Sequence, residues 1–221
     1  MEEPHYPTSV RDLFSRRHRG SLFAAFVLLG VAYIFEHVAN NYAFLYSLRP
    51  TSVPVGDIVL DNIPVLDLNF IIIEMALITI VVTVFFVISR PRYLLFSLKA
   101  LSLFIVTRAI CISLTHVGIY PDHLVPGLGF FDGIYRYLNF ETGLFFSGHT
   151  GLPVLMALIF WKKKRVRYVF LALSVIFGVG VLLAHVHYSI DVFAAPFMAY
   201  GIFTIAKKLF PHDYALIESP A

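Results

Sequence analysis

The chain has 221 residues, 58% of them hydrophobic and 14% charged, with a formal net charge of +3 and a mean hydropathy of +0.78. A soluble domain carries about 25% charged residues, so this composition excludes a soluble globular fold and suits one compact membrane domain. A single cysteine, Cys111, lies inside an apolar run, which excludes a disulfide framework and a cysteine-based metal site.

In chain order, residues 8–19 mix Val10, Leu13 and Phe14 with arginine and aspartate, and Ser9-Val10-Arg11-Asp12 resembles a capping box. An amphipathic helix lying on the cytoplasmic face is expected there. Six apolar runs follow, at about 21–46, 68–89, 94–117, 147–161, 167–185 and 188–206. Each is close to the roughly 20 residues that a hydrocarbon core of about 30 Å requires; the fourth is short and ends at Trp161. The first has a basic flank but no small-x-small cleavage site, so it reads as a retained helix and not a signal peptide. Backbone groups in lipid must be satisfied within their own segment, so all six are helices. The fold class is therefore all-α, a polytopic bundle of six transmembrane helices. Its expected organisation is a cytoplasmic amphipathic segment at 1–20, a membrane catalytic domain at 21–208 and a cytoplasmic tail at 209–221. No internal repeat or low-complexity tract is visible.

Lysine and arginine set the orientation. The N-terminal segment, the second-to-third and fourth-to-fifth connections and the C-terminal tail hold 14 of the 17 basic residues, all on one side of a six-span arrangement. The positive-inside rule puts that side, and both termini, in the cytoplasm. The net charge thus reflects topology and not nucleic-acid binding. The basic run at 162–167 is an orientation anchor that also meets anionic membrane lipid.

Two polar clusters interrupt the apolar pattern: Ser147-Gly148-His149-Thr150, and His185-Val186-His187-Tyr188-Ser189-Ile190-Asp191. Ionisable residues at membrane depth are costly to keep and mark functional sites. The topology puts both clusters, together with Arg108 of the third span and Glu74 of the second, at similar depth toward the outer leaflet. Ser147-Gly148-His149-Thr150 stands at a helix N-terminus, where unpaired N–H groups and the dipole attract anions, and Gly148 lets backbone approach a phosphate. Pro153 is expected to fall early enough in this helix to be tolerated. His187 and Asp191 are four apart and would share one helical face. The carboxylate would then hold one imidazole nitrogen and leave the other to attack. Histidine suits the accompanying proton transfer. Two histidines and one carboxylate can move a phosphoryl group without a metal or other cofactor, and none is expected. Arg108 either binds phosphate or pairs with Glu74 or Glu36 to hold helices together. Glu36 and Asn40 face the bundle interior, as cavity lining or as packing polar groups. His185, two residues from His187, points elsewhere but is kept as a site candidate.

The stretch Leu183-Ala184-His185-Val186-His187-Tyr188-Ser189-Ile190-Asp191-Val192 resembles the last motif of the sphingomyelin synthase family, and Phe146-Ser147-Gly148-His149-Thr150 resembles the motif before it. Arg108 with Thr115, Tyr120 and Pro121, and the loop Asn62-Ile63-Pro64-Val65-Leu66-Asp67, resemble earlier motifs loosely. The similarity runs from about residue 55 to 205. It implies a catalytic triad of His149, His187 and Asp191 on the lumenal or extracytoplasmic side, within a type 2 phosphatidic acid phosphatase-like bundle. The wider type 2 phosphatidic acid phosphatase superfamily shares these histidine motifs. Its lipid phosphatases, however, have an arginine six residues before the nucleophilic histidine, where Val181 stands here, and a Lys-x6-Arg-Pro motif that this chain lacks. One departure runs the other way: the synthase motif has an aspartate where this chain has Gly143, with Glu141 nearby as its substitute.

The resemblance implies a phosphotransferase that moves a phospho-headgroup from a glycerophospholipid to a lipid alcohol, ceramide or diacylglycerol, or to water in the manner of a phospholipase C, through a phosphohistidine. Ser147, Gly148, Thr150, Arg108 and Tyr188 form the expected phosphate-binding set, with Glu74, Glu36, Glu141 and His185 as further site candidates. The alternatives are a lipid phosphomonoesterase or pyrophosphatase and a non-catalytic transporter or scaffold. The partners are lipids of the membrane; self-association into a homo-oligomer is compatible with the sequence. The compact chain suggests a bacterial inner membrane.

Overall fold

A computed structural model describes residues 7, 9–121 and 144–218. Glu141 and Gly143 lie outside the described residues, so the substitution suggested for them has no structural counterpart here. Seven helices appear among the described residues: α1 (Arg19–Ser47), α2 (Phe70–Ile88), α3 (Pro91–Leu114), α4 (Gly148–Ile159), α5 (Lys164–Leu183), α6 (Ser189–Leu209) and α7 (Pro211–Glu218). Five of them, α1, α2, α3, α5 and α6, are long and apolar enough to cross a membrane. With α4 they make an all-helical, multi-pass membrane bundle. Large apolar side chains such as Phe23, Val81, Phe193, Phe197 and Tyr200 stand exposed along these helices, as a lipid-facing surface requires.

The fourth apolar run is shorter as a helix than its sequence span of 147–161. At 12 residues and a rise of 1.5 Å each, α4 is about 18 Å long, well short of the hydrocarbon thickness. It is also the packing centre. Leu155, Met156, Ala157 and Phe160 are buried there, and Phe160 stacks on Tyr93 of α3 and on Phe170 of α5. Irregular backbone at membrane depth is tolerated only where protein covers it, and α4 starts inside such a cover. Close approach comes from small residues. A Cβ at Gly151 would meet the Phe104 ring at 3.0 Å, and one at Gly178 would meet Val192 at 3.2 Å.

Two polar cross-links fix the relative direction of α1 and α3. Near their starts, Lys99 of α3 bonds Ser21 of α1; further along, Arg108 of α3 pairs with Glu36 of α1. The two helices therefore run parallel, as the first and third spans of an up-and-down bundle must. The N-terminal segment forms one 3-10 turn, Val10–Phe14, in place of the expected amphipathic helix. Its Leu13 is buried, and Asp12 accepts from the Ser9 N–H at 2.8 Å. Residues 211–218, expected as tail, form α7, which packs on α3 through buried Ile217 and Asp213.

Candidate active site

The first turn of α2, Phe70–Glu74, is π-helical. A π turn shifts the hydrogen-bond ladder and turns backbone carbonyls away from their usual donors. One of them, Ile72, receives the His149 ring: Nε2 lies 3.2 Å from the Ile72 oxygen. A carbonyl only accepts, so this contact places the hydrogen on Nε2 and fixes the ring's orientation. Glu74 closes the same turn, and its Oε2 is buried without a hydrogen-bond partner among the described residues.

His149 itself is the second residue of α4. Ser147 caps the helix: its hydroxyl accepts from the Thr150 N–H at 3.4 Å and from the Thr150 hydroxyl at 3.3 Å. These two hydroxyls thus complete the helix start. Gly148 and His149 form the first turn of the helix, beyond reach of its own carbonyls as acceptors, at the end where the dipole favours anions. Pro153 is the sixth residue of α4 and not in its first turn. It therefore removes the helical donor to the His149 carbonyl, a correction to the expectation that it falls where a missing N–H costs little.

α5 ends in a Schellman motif. The His185 N–H bonds to the Leu182 oxygen at 2.9 Å and the Val186 N–H to the Val181 oxygen at 3.0 Å, with His185 in the left-handed region at φ 54°. This reversal separates the two histidines. His185 turns edge-on to Tyr120, ring centroids 5.1 Å apart, and both its ring nitrogens are buried without partners among the described residues. His187 turns the other way, toward His149, with ring centroids 6.1 Å apart.

His187 precedes α6, so it does not share a helical face with Asp191 as the four-residue spacing suggested. Their contact arises from helix capping. Asp191, third residue of α6, reaches back so that Oδ2 accepts from the Tyr188 N–H at 3.0 Å and from His187 Nδ1 at 3.3 Å. A carboxylate can only accept here, so Nδ1 carries the hydrogen and Nε2 keeps its lone pair. The Asp191 carbonyl also accepts from the Ser147 N–H at 3.2 Å, which ties the start of α6 to the start of α4.

Arg108 serves three helices. Nη1 makes a close ion pair with Glu36 Oε1, and Nε donates to the Phe146 carbonyl at 3.1 Å. A Cβ on Gly148 would stand 3.3 Å from Arg108 Nε, so the guanidinium lies directly against the glycine before His149. Pairing with Glu36 and proximity to the anion-binding turn therefore coexist. Asn40, one turn beyond Glu36, is buried in the bundle.

The structure puts the Tyr188 hydroxyl elsewhere. It donates to the Gly118 carbonyl at 2.8 Å and accepts from the Val55 N–H at 3.3 Å. Tyr188 thus latches two connecting segments over the start of α6. Sequence reasoning missed a second such residue, Asp57. Its Oδ2 accepts from the Ser189 N–H at 2.6 Å, capping α6 from outside the helix, while Oδ1 accepts from Val59 at 2.9 Å and Leu60 at 3.2 Å. Burial raises its pKa, but the hydrogen bonds from Ser189, Leu60 and Val59 outweigh that effect and hold it below the ordinary carboxylate value. An aspartate after Gly56 was the available signal, because such residues bond backbone two or three positions on.

No group of three His, Cys, Asp or Glu side chains suited to a metal ion occurs among the described residues. The arrangement brings two imidazoles, one carboxylate-oriented, an anion-binding helix start and a guanidinium to one end of the bundle. No curated protein and no solved structure matches the chain. Residues 142–208, which contain both histidine clusters, match the family model described as PAP2 superfamily C-terminal, and this supports an enzyme of the lipid phosphatase or phosphotransferase type.

Proposed function

We propose that the protein is a membrane phospholipid phosphotransferase of the sphingomyelin synthase type, with His149, His187 and Asp191 as its catalytic residues. The observation that carries this reading is the facing pair of imidazoles, 6.1 Å between ring centroids, one of them held by Asp191. A phospholipid phosphate docks at the α4 start beside Arg108. In this step His149 carries a second proton on Nδ1, its Nε2 hydrogen staying on the Ile72 carbonyl. His187 Nε2 attacks phosphorus; the N–P bond forms, the P–O bond to diacylglycerol breaks, and the departing oxygen takes the His149 Nδ1 proton. The phospho-headgroup now rests on His187. An acceptor alcohol gives its proton to His149 and its oxygen attacks phosphorus, which breaks the N–P bond and restores both rings. Residues 21–208 form the catalytic unit. The basic end of the bundle is cytoplasmic, with both termini, and the site faces the outer side, of a bacterial inner membrane in this reading. The segregation of lysine and arginine supports that orientation.

The test is incubation of purified protein with a donor labelled in headgroup and phosphate, together with a lipid alcohol, and mass spectrometry of every phosphorus-containing product. The expected product is the labelled phospho-headgroup on the alcohol. Phospho-headgroup released to water would make the enzyme a phospholipase C. Free inorganic phosphate would assign it to the phosphomonoesterases. No lipid turnover, with transport that survives His149→Ala, would make it a transporter or scaffold. His187→Ala is expected to remove nearly all turnover and all headgroup label bound to protein.

A further inference from the structure

At the other end of the bundle from the imidazole pair lies a cavity of about 590 Å³, between the start of α1, the first third of α3 and the α6–α7 elbow. Its polar lining includes Arg17, His18, Ser21, Lys99, His212 and Asp213. Three of these are already mutually satisfied: Lys99 Nζ lies 2.5 Å from Asp213 Oδ2 and 2.8 Å from the Ser21 hydroxyl, which donates to Asp213 Oδ1 at 2.7 Å. The carboxylate is therefore spent on Lys99 and Ser21. Arg17 brings a further positive charge, and His18 and His212 bring imidazoles, with no second carboxylate among the described lining residues.

His18 is the informative residue. It is only 7% exposed, it lines the cavity, and its Nε2 has no hydrogen-bond partner among the described residues. A buried ring nitrogen left unpaired is costly to keep, and a partner that arrives from outside the described residues would relieve that cost. His18 is also the cap residue of α1, at the positive end of the helix dipole, although the Ser15 carbonyl already accepts from the His18 and Arg19 N–H groups at 3.1 and 2.9 Å. The cavity wall next to these cations is apolar, formed by Leu209, Phe210 and Leu216; Leu209 is itself exposed toward the surroundings. A floor that carries Arg17 and two imidazoles beside an apolar wall at a membrane-facing elbow fits an amphiphile with an anionic head.

We propose that this cavity binds the phosphate of an anionic phospholipid from the leaflet at the basic end of the bundle, held by His18 and Arg17. The site is separate from the imidazole pair and independent of the function assigned to it. Basic pockets between transmembrane helices suit such headgroups, and this one adds a buried imidazole nitrogen with no partner among the described residues.

The experiment uses the full chain in bilayer nanodiscs of phosphatidylcholine doped with phosphatidylglycerol, with native mass spectrometry of the lipid retained after release. Wild type is expected to retain phosphatidylglycerol over phosphatidylcholine by about tenfold beyond its share of the bilayer, equivalent to about 1.4 kcal/mol. Arg17→Gln, at an exposed position, and His18→Gln should each lose most of that preference. Lys208→Gln, outside the cavity lining, should keep it. Preference that survives both cavity variants, or that Lys208→Gln abolishes equally, would overturn the proposal in favour of diffuse surface charge. Displacement of the lipid by millimolar inorganic phosphate alone would assign the site to free phosphate and overturn the lipid assignment.

Discussion

Asp191 does two jobs with one oxygen, and they can be separated. Oδ2 accepts both the Tyr188 N–H and His187 Nδ1. Asparagine keeps an acceptor for the backbone group but removes the charge that steadies a positively charging imidazole. Asp191→Asn is therefore expected to leave thermal unfolding nearly unchanged while kcat falls on the order of 10³- to 10⁴-fold, the scale for a carboxylate that orients a catalytic imidazole; single-turnover kinetics with labelled donor measures it. An equal fall in unfolding temperature would make the residue a helix cap and nothing more. The residue types of this site were legible, because two polar clusters in an apolar chain have few other uses. Their geometry was legible only in part. The spacing of His187 and Asp191 suggested a shared helical face, whereas the contact is made across a helix start. Ser147, Thr150 and Tyr188 were expected around phosphate, yet the Ser147 hydroxyl accepts from the Thr150 N–H and hydroxyl, and the Tyr188 hydroxyl bonds loop backbone. A hydroxyl's partner depends on the local turn, which one-dimensional spacing does not carry.

Helices were legible as lengths of apolar sequence, and their irregular ends were not. The π turn that opens α2 and the left-handed His185 that closes α5 follow from packing between distant segments. Neither carries glycine, the usual sign of a break. Left-handed backbone costs a non-glycine residue about 1–2 kcal/mol, so His185→Gly is expected to keep or raise the unfolding temperature, in spite of the lost Tyr120 contact. A large fall would show that the ring, and not the backbone, holds this turn. The cap over α6 depends on pH through Asp57. Its folded pKa lies below the ordinary value of 3.8, so its contribution is fully present above that value and is lost as pH falls through the lower folded value. Stability should then be flat from about pH 7 to about pH 4 on this account and drop below it. In Asp57→Asn that component of the drop should be absent, as read by thermal unfolding in detergent across the same range.

At the scale of the molecule, the alternation of basic and non-basic connections predicted an up-and-down bundle, and the parallel run of α1 and α3 agrees with it. What composition could not show is that the last helix is riveted to the bundle. Lys99 and Asp213 form a buried ion pair, each side chain 9% exposed, with Ser21 completing it. Removal of one partner from such a pair costs about 3–5 kcal/mol, whereas exchange of both for apolar groups is often neutral. Lys99→Met should lower stability by about that amount, and Lys99→Met with Asp213→Leu should recover most of it in the same unfolding assay. The pair joins residues 114 apart in sequence, beyond the reach of any local pattern.

The brevity of α4 has one more consequence. A helix of about 18 Å whose last turn meets the basic face begins about 12 Å short of the far edge of a hydrocarbon slab about 30 Å thick. The two facing imidazoles are therefore recessed beneath the plane where lipid heads meet the aqueous phase. A substrate must dip its polar head inward to reach them, and bulk solvent arrives only by a narrow descent. An alcohol tethered by its own fatty tails already resides at that level, so under the proposed function immersion itself would tilt the competition toward exchange between lipids and away from hydrolysis.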